Sequence, residues 1–151
     1  MDNADSTVRG LPCAQQEPKL FTLEQANRAL PLVRRVVSDL VEAYASLRTL
    51  LARRRNLPAN HVQAELDRID AQAAAQAERV GGLVEEIQTI GCELKDCESG
   101  MIDFRAMHQG RVVYLCWKLG EARIEAWHEL DAGFAGRQDI AAWDTDSCAT
   151  A

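Results

Sequence analysis

The sequence predicts an α+β protein: a long antiparallel two-helix coiled-coil hairpin followed by a small antiparallel β-sheet of three to four strands. Three observations carry that expectation. Apolar residues recur with alternating steps of three and four from Leu23 to Leu51, and again from Val62 to Ile90. The period drops to two after Gly91. Between the two seams stands Asn56-Leu57-Pro58-Ala59-Asn60, a segment too short and too rich in turn formers to do anything but reverse the chain.

The first helix starts at Thr22, whose hydroxyl can cap the free amides while Gln25 reaches back to the Thr22 amide. Its seam is Leu23, Ala26, Leu30, Val33, Val37, Leu40, Tyr44, Leu47 and Leu51, an a/d pattern suited to coiled-coil packing. Pro31 lies inside it and deletes one hydrogen bond, which predicts a kink without a stop. The second seam is Val62, Leu66, Ile69, Ala73, Gln76, Val80, Leu83, Ile87 and Ile90, ended by Gly91. At ~1.5 Å rise per residue, arms of roughly 30 residues reach about 45 Å. Residues 22–55 hold seven Arg against three acids and residues 60–90 hold six acids against two Arg, so opposite net charges face each other along the hairpin. Val36, Val41, Leu50 and Val84 flank the seams and widen the apolar surface. Either a second copy covers it, giving a homodimer through the helices, or the C-terminal module does.

Strands are expected at about 101–106, 111–119 and 123–129, with an edge strand at 92–95. Alternation sorts their side chains. Val113, Leu115, Trp117 and Leu119 share one face, and Val112, Tyr114, Cys116 and Lys118 the other. A two- or four-residue turn at 120–123 would put Ile124, Ala126 and His128 with the apolar set, and Glu125, Trp127 and Glu129 beside Tyr114 and Cys116. Ile102 and Phe104 would be apolar-facing, Asp103 and Arg105 on the mixed face. Cys116 and His128 would then lie on opposite faces, unable to share an ion unless a bulge intervened. His61 and Glu65 have helical i, i+4 spacing, but two ligands near an exposed helix start are a weak metal signal.

Composition bounds the function classes. Nearly half the residues are apolar and about a quarter charged, ordinary for a globular chain, and the net charge of −6 disfavours nucleic acid or an anionic membrane as main partner. No apolar run approaches a membrane span, and the N-terminus lacks the basic start and apolar core of a signal peptide, so a cytoplasmic protein is expected. Cys13, Cys92, Cys97, Cys116 and Cys148 form no CxxC pair and read as free thiols. Residues 1–20 are expected to be a disordered tail, 21–138 a single domain, and 139–151 a mobile acidic tail with Trp143 as its anchor.

Several motifs recur together: Phe21-Thr22-Leu23-Glu24-x-Ala26-Asn27 with Leu30-Pro31-Leu32-Val33; Lys95-Asp96-x-Glu98-x-Gly100 with Asp103-Phe104; Val113-Tyr114-Leu115-Cys116-Trp117 with Leu119-Gly120-Glu121; and Trp127-His128-x-Leu130-Asp131-x-Gly133-Phe134-x-Gly136-Arg137. In them the chain resembles the prokaryotic domain-of-unknown-function family 2203 over residues about 20 to 138. The resemblance implies a bacterial cytosolic protein and supplies no activity.

The last motif concentrates the candidate chemistry. His128 reads as a core histidine whose ring is held by Asp131. Gly133 to Arg137 can form an amide-lined nest for an anion, or a tight loop in which Arg137 pairs with Asp96, Glu98 or Asp103. Candidate ligand-binding residues are His128, Asp131, Arg137, Asp103, Tyr114 and Cys116. No nucleophile motif, phosphate loop or complete three-ligand metal set is legible, so no catalytic residue, metal or cofactor is assigned. Two functions stay open: a non-catalytic oligomerisation or partner-binding module built on the hairpin, and a small-ligand (anion) or metal-binding protein, or an enzyme, centred on His128, Asp131 and Arg137.

Overall fold

The structure, a computed structural model, describes residues 18–143. Helix α1 spans Leu23–Arg55 and α2 spans Gln63–Ile90. The strands are β1 Glu93–Asp96, β2 Met101–His108, β3 Arg111–Lys118, β4 Ala126–Glu129 and β5 Gln138–Asp139. They form one antiparallel sheet in the order β1-β2-β3-β4-β5. The expected α+β class holds, with five strands where three to four were expected. β5 is too short, and its Gln138 and Asp139 too polar, to show as apolar alternation. No helix is long and apolar enough to cross a membrane among the described residues.

Local chemistry sets the helix ends. Thr22 and Gln25 form the reciprocal capping box, and α1 runs on through Pro31. Gly91, at φ 103°, closes α2 in a left-handed cap that its lack of a Cβ permits. Across the arms, Arg54 Nε donates to Asp70 Oδ1 at 2.6 Å, the one ion pair between α1 and α2 among the described residues.

The core lies where the proximal half of the hairpin meets one face of the sheet. Ala26, Leu30, Val33, Val36, Val37 and Leu40 from α1 and Ile87 from α2 pack with Ile102, Phe104, Leu115, Trp117 and Trp127. Val41 and Val84 pack against the same cluster. Of the four seam-flanking residues, three therefore lie in or against the core of the same chain. Polar ties fix the docking. Phe21 N–H donates to the Arg105 carbonyl at 2.7 Å, Ile124 N–H to Asn27 Oδ1 at 2.9 Å, and Arg34 to the Ala122 carbonyl at 3.1 Å. Gly100 sits in the β1–β2 turn at φ 72°, where a Cβ would come within 2.7 Å of Val37. Only glycine fits both the backbone angle and that approach.

Order runs beyond residue 138. After β5, Ile140–Ala142 makes a short 3-10 turn, and Trp143 stacks on His108 with ring centroids 4.2 Å apart. Residues 1–17 and 144–151 of the expected tails, with Cys13 and Cys148, lie outside the described residues.

The β3–β4 connection differs from expectation in a way that governs function. Cys116 pairs with Ala126, Leu115 with Trp127, Tyr114 with His128 and Val113 with Glu129. The intervening segment holds an odd number of residues, so every side chain of β4 is on the face opposite to the one expected. The expected register keeps Glu125 and Glu129 out of the core. Neither needed it. Glu125 stays exposed and off the strand, and Glu129 pairs with Arg111 at the sheet's end, Arg111 Nε donating at 3.1 Å. Ile124 reaches the core from the connection itself. What the register buries is Trp127, the larger apolar gain.

Candidate functional site

The corrected register places His128 on the same face as Cys116, Tyr114 and Asp103. Asp103 of β2 is the direct partner of Cys116 on β3, and His128 of β4 is the partner of Tyr114, one step along. Three adjacent strands thus deliver a carboxylate, a thiol and an imidazole to one spot. Their ligand atoms all lie within 4.8 Å of one another. The exclusion of a shared ion between Cys116 and His128 is overturned, and no bulge is needed: an odd-length connection does what a bulge would have done.

All three side chains are buried, Asp103 at 1%, Cys116 at 0% and His128 at 2% exposure. His128 Nδ1 lies 2.7 Å from the Glu129 carbonyl, which can only accept, so Nδ1 carries a hydrogen. That leaves Nε2, 2.9 Å from Asp103 Oδ2, pointing into the cluster. Oδ1 of Asp103 is buried with no hydrogen-bonding partner among the described residues. Burial pushes the Asp103 carboxyl above its usual range, against the pull of His128. Burial, and then the neighbouring Asp103, push the Cys116 thiol up to about 12.

This geometry is not that of a nucleophile–base–orienter triad. There the acid holds one ring nitrogen and the nucleophile approaches the other. Here the acid itself holds Nε2, the nitrogen on the side of the cluster, while a backbone carbonyl holds Nδ1. A thiol raised so far is also a poor nucleophile. A histidine anchored through Nδ1–H to a carbonyl, with Nε2 aimed at further donors, is the arrangement that presents an imidazole to a metal ion.

The surroundings follow from the strand order. On one side along β3 the Tyr114 ring lies 5.4 Å from that of His128, with Lys95 Nζ 4.7 Å over its centroid and Glu93 bound to Arg105 and Lys95. On the other side stands Lys118. There Arg137 donates from Nη2 to both Glu121 oxygens, at 2.8 and 3.0 Å, and to the Cys116 carbonyl at 3.3 Å. Phe134 lies against the guanidinium, its ring centroid 5.0 Å away, and 5.7 Å from Lys118 Nζ.

Of the six expected site residues, Asp103, Cys116 and His128 converge, Tyr114 borders them, and Arg137 sits at the Cys116 end. Asp131 is exposed and does not hold His128; Asp103 and the Glu129 carbonyl do. Arg137 pairs with Glu121, not with Asp96, Glu98 or Asp103. Glu121 stands in the Leu119-Gly120-Glu121 motif, so its prominence was visible although its partner was not. His61, bound through Nδ1 to the Pro58 carbonyl, joins no ligand cluster among the described residues.

A family model matches residues 19–140 of the chain. The protein belongs to the DUF2203 family. That family is described as uncharacterized conserved protein, so membership carries the architecture and no reaction. No curated protein and no solved structure matches the chain.

Proposed function

We propose that this DUF2203 protein binds a divalent transition-metal ion through Asp103, Cys116 and His128. The observation that carries the reading is the buried convergence of three different donors, in which Asp103 Oδ1 finds no hydrogen-bonding partner outside the cluster among the described residues. An unsatisfied carboxylate oxygen in a protein interior is costly. A divalent ion removes that cost, takes the Nε2 lone pair, and stabilises the Cys116 thiolate that burial otherwise disfavours. One sulfur, one imidazole and one carboxylate suit zinc and its chemical neighbours rather than calcium or magnesium, which prefer oxygen donors alone. Metal analysis of the purified protein is expected to give about one equivalent. Cobalt loading is expected to produce a thiolate-to-metal charge-transfer band that is lost in Cys116→Ser and kept in Cys97→Ser. Metal-free wild type whose cobalt spectrum lacks that band would refute the reading.

A second reading concerns the hairpin, and the two are compatible. Toward the hairpin tip the arms are less covered among the described residues: Leu51 is 44% exposed, while Leu47, Leu50 and Leu66 are half-buried. The basic α1 and acidic α2 make a second copy, with α1 against α2 of its mate, the occupant favoured by charge. Light scattering at micromolar concentration is expected to give a dimer. A monomer mass there would refute it.

A further inference from the structure

We infer that the ion held by Asp103, Cys116 and His128 keeps one position for a small oxyanion, a carboxylate or inorganic phosphate, and that Arg137 is the residue positioning it. This rests on the metal reading above and asks what completes the site. Ions of the zinc type take four donors, and a site with three protein ligands leaves the fourth for an exogenous oxygen. Among the described residues no fourth His, Cys, Asp or Glu joins the group.

The chemistry of the walls selects the fourth group. Along β3 the cluster is closed on one side by Tyr114, 6% exposed, beneath Lys95. On the opposite side stands Arg137, within hydrogen-bonding distance of the Cys116 carbonyl. Its Nη2 is engaged, but its Nε is buried without an acceptor among the described residues. A buried N–H left unpaired is expensive, and Nε–H is the donor that an oxygen of an arriving carboxylate or phosphate would satisfy. Glu121 takes the Nη2 side of the guanidinium and leaves Nε–H as the open donor. The Asp103 carboxylate and Cys116 thiolate cancel the charge of a divalent ion, so an arriving anion meets no net negative charge at the ion itself. The cover on this side is thin. Gly133, at φ 61°, has nothing within 4 Å of a would-be Cβ, and Phe134 is 47% exposed.

The test uses the full chain loaded with cobalt, whose visible d–d bands report the coordination sphere. Acetate and inorganic phosphate are titrated separately, so that the one that responds names the oxyanion. The expected result is a saturable band shift with at least one of them. Arg137→Lys keeps the charge but loses the Nε–H donor, and should bind cobalt with the same stoichiometry while weakening the anion about tenfold. Glu121→Gln, which releases Arg137 from its carboxylate, should tighten it. Cobalt bound through Cys116 with bands that neither anion moves would overturn this inference and leave the metal site standing. So would an Arg137→Lys titration identical to wild type. Failure of cobalt to bind through Cys116 would remove both.

Discussion

The two ends of the hairpin are built from the same heptad pattern and have different fates. Near the sheet, Ala26 to Leu40 of α1 are buried against Phe104, Leu115 and Trp117 in a core drawn from both helices and three strands. Toward the tip, Ile69 and Ala73 of α2 are still buried between the arms, but Leu47, Leu50 and Leu66 are half-buried and Leu51 and Val62 exposed. Equal apolar patterning does not mean equal stabilisation. What counts is how many layers close over the seam, since burial stabilises roughly in proportion to the area removed from water.

Substitutions grade the difference between the two ends. Trp117→Ala should have the largest effect, about 3–5 kcal/mol, because it empties a fully buried site and abandons the hydrogen bond from its indole Nε1 to the Glu121 carbonyl. Denaturant unfolding measures it, and a loss below about 1 kcal/mol would mean that the helix–sheet junction is not the stabilising core. Gly100→Ala comes next, at ~2–4 kcal/mol, as it combines a left-handed backbone angle with a 2.7 Å approach to Val37. Its partner Val37→Ala should relieve the clash in part, giving a double-mutant cycle with positive coupling.

His128→Ala in metal-free protein should cost about 1–3 kcal/mol, since it strands Asp103 and the Glu129 carbonyl. Thermal melts with and without zinc sharpen this. Zinc should raise the wild-type midpoint and leave the variant's unmoved, whereas an equal rise in both would mean that zinc binds elsewhere.

A smaller effect is pH-dependent. Hydrogen bonds from the Ser99 hydroxyl and amide hold the Asp96 carboxyl below its usual range. A carboxyl with a lowered folded-state pKa contributes stability above its unfolded value, and loses it as pH falls through the folded one. Acid titration of Asp96→Asn should therefore show a shallower loss of stability below about pH 4 than wild type; parallel curves would dissociate Asp96 from the turn's stability. The smallest effect is expected at the tip, where Leu51→Ala should change stability by less than about 1 kcal/mol, in keeping with its exposure. A larger, concentration-dependent loss there would reveal a second copy on the arms.

Helical repetition was legible in the sequence; the length of the connection into β4 and the partners of His128 and Arg137 were not. The capping box at Thr22 and Gln25, both helices and the Gly91 stop were legible because each signal is intrahelical. The strands β2 and β3 were legible because a tight turn at His108-Gln109-Gly110 leaves their pairing no freedom. The convergence of Asp103, Cys116 and His128 was not, although all three are candidate site residues in the sequence. Their faces depended on whether the connection to β4 was odd or even. That depended on Ile124 finding the core through Asn27, a contact almost a hundred residues apart in the chain.

The sequence by itself thus determined both helices, the strands before β5, their order and the family, since periodicity and capping act over a few residues. Only the tertiary structure decided the site. Packing Trp127 against the helices, while Glu125 and Glu129 escape to the surface, costs less than the alternative register, and that single preference turns His128 toward Asp103 and Cys116.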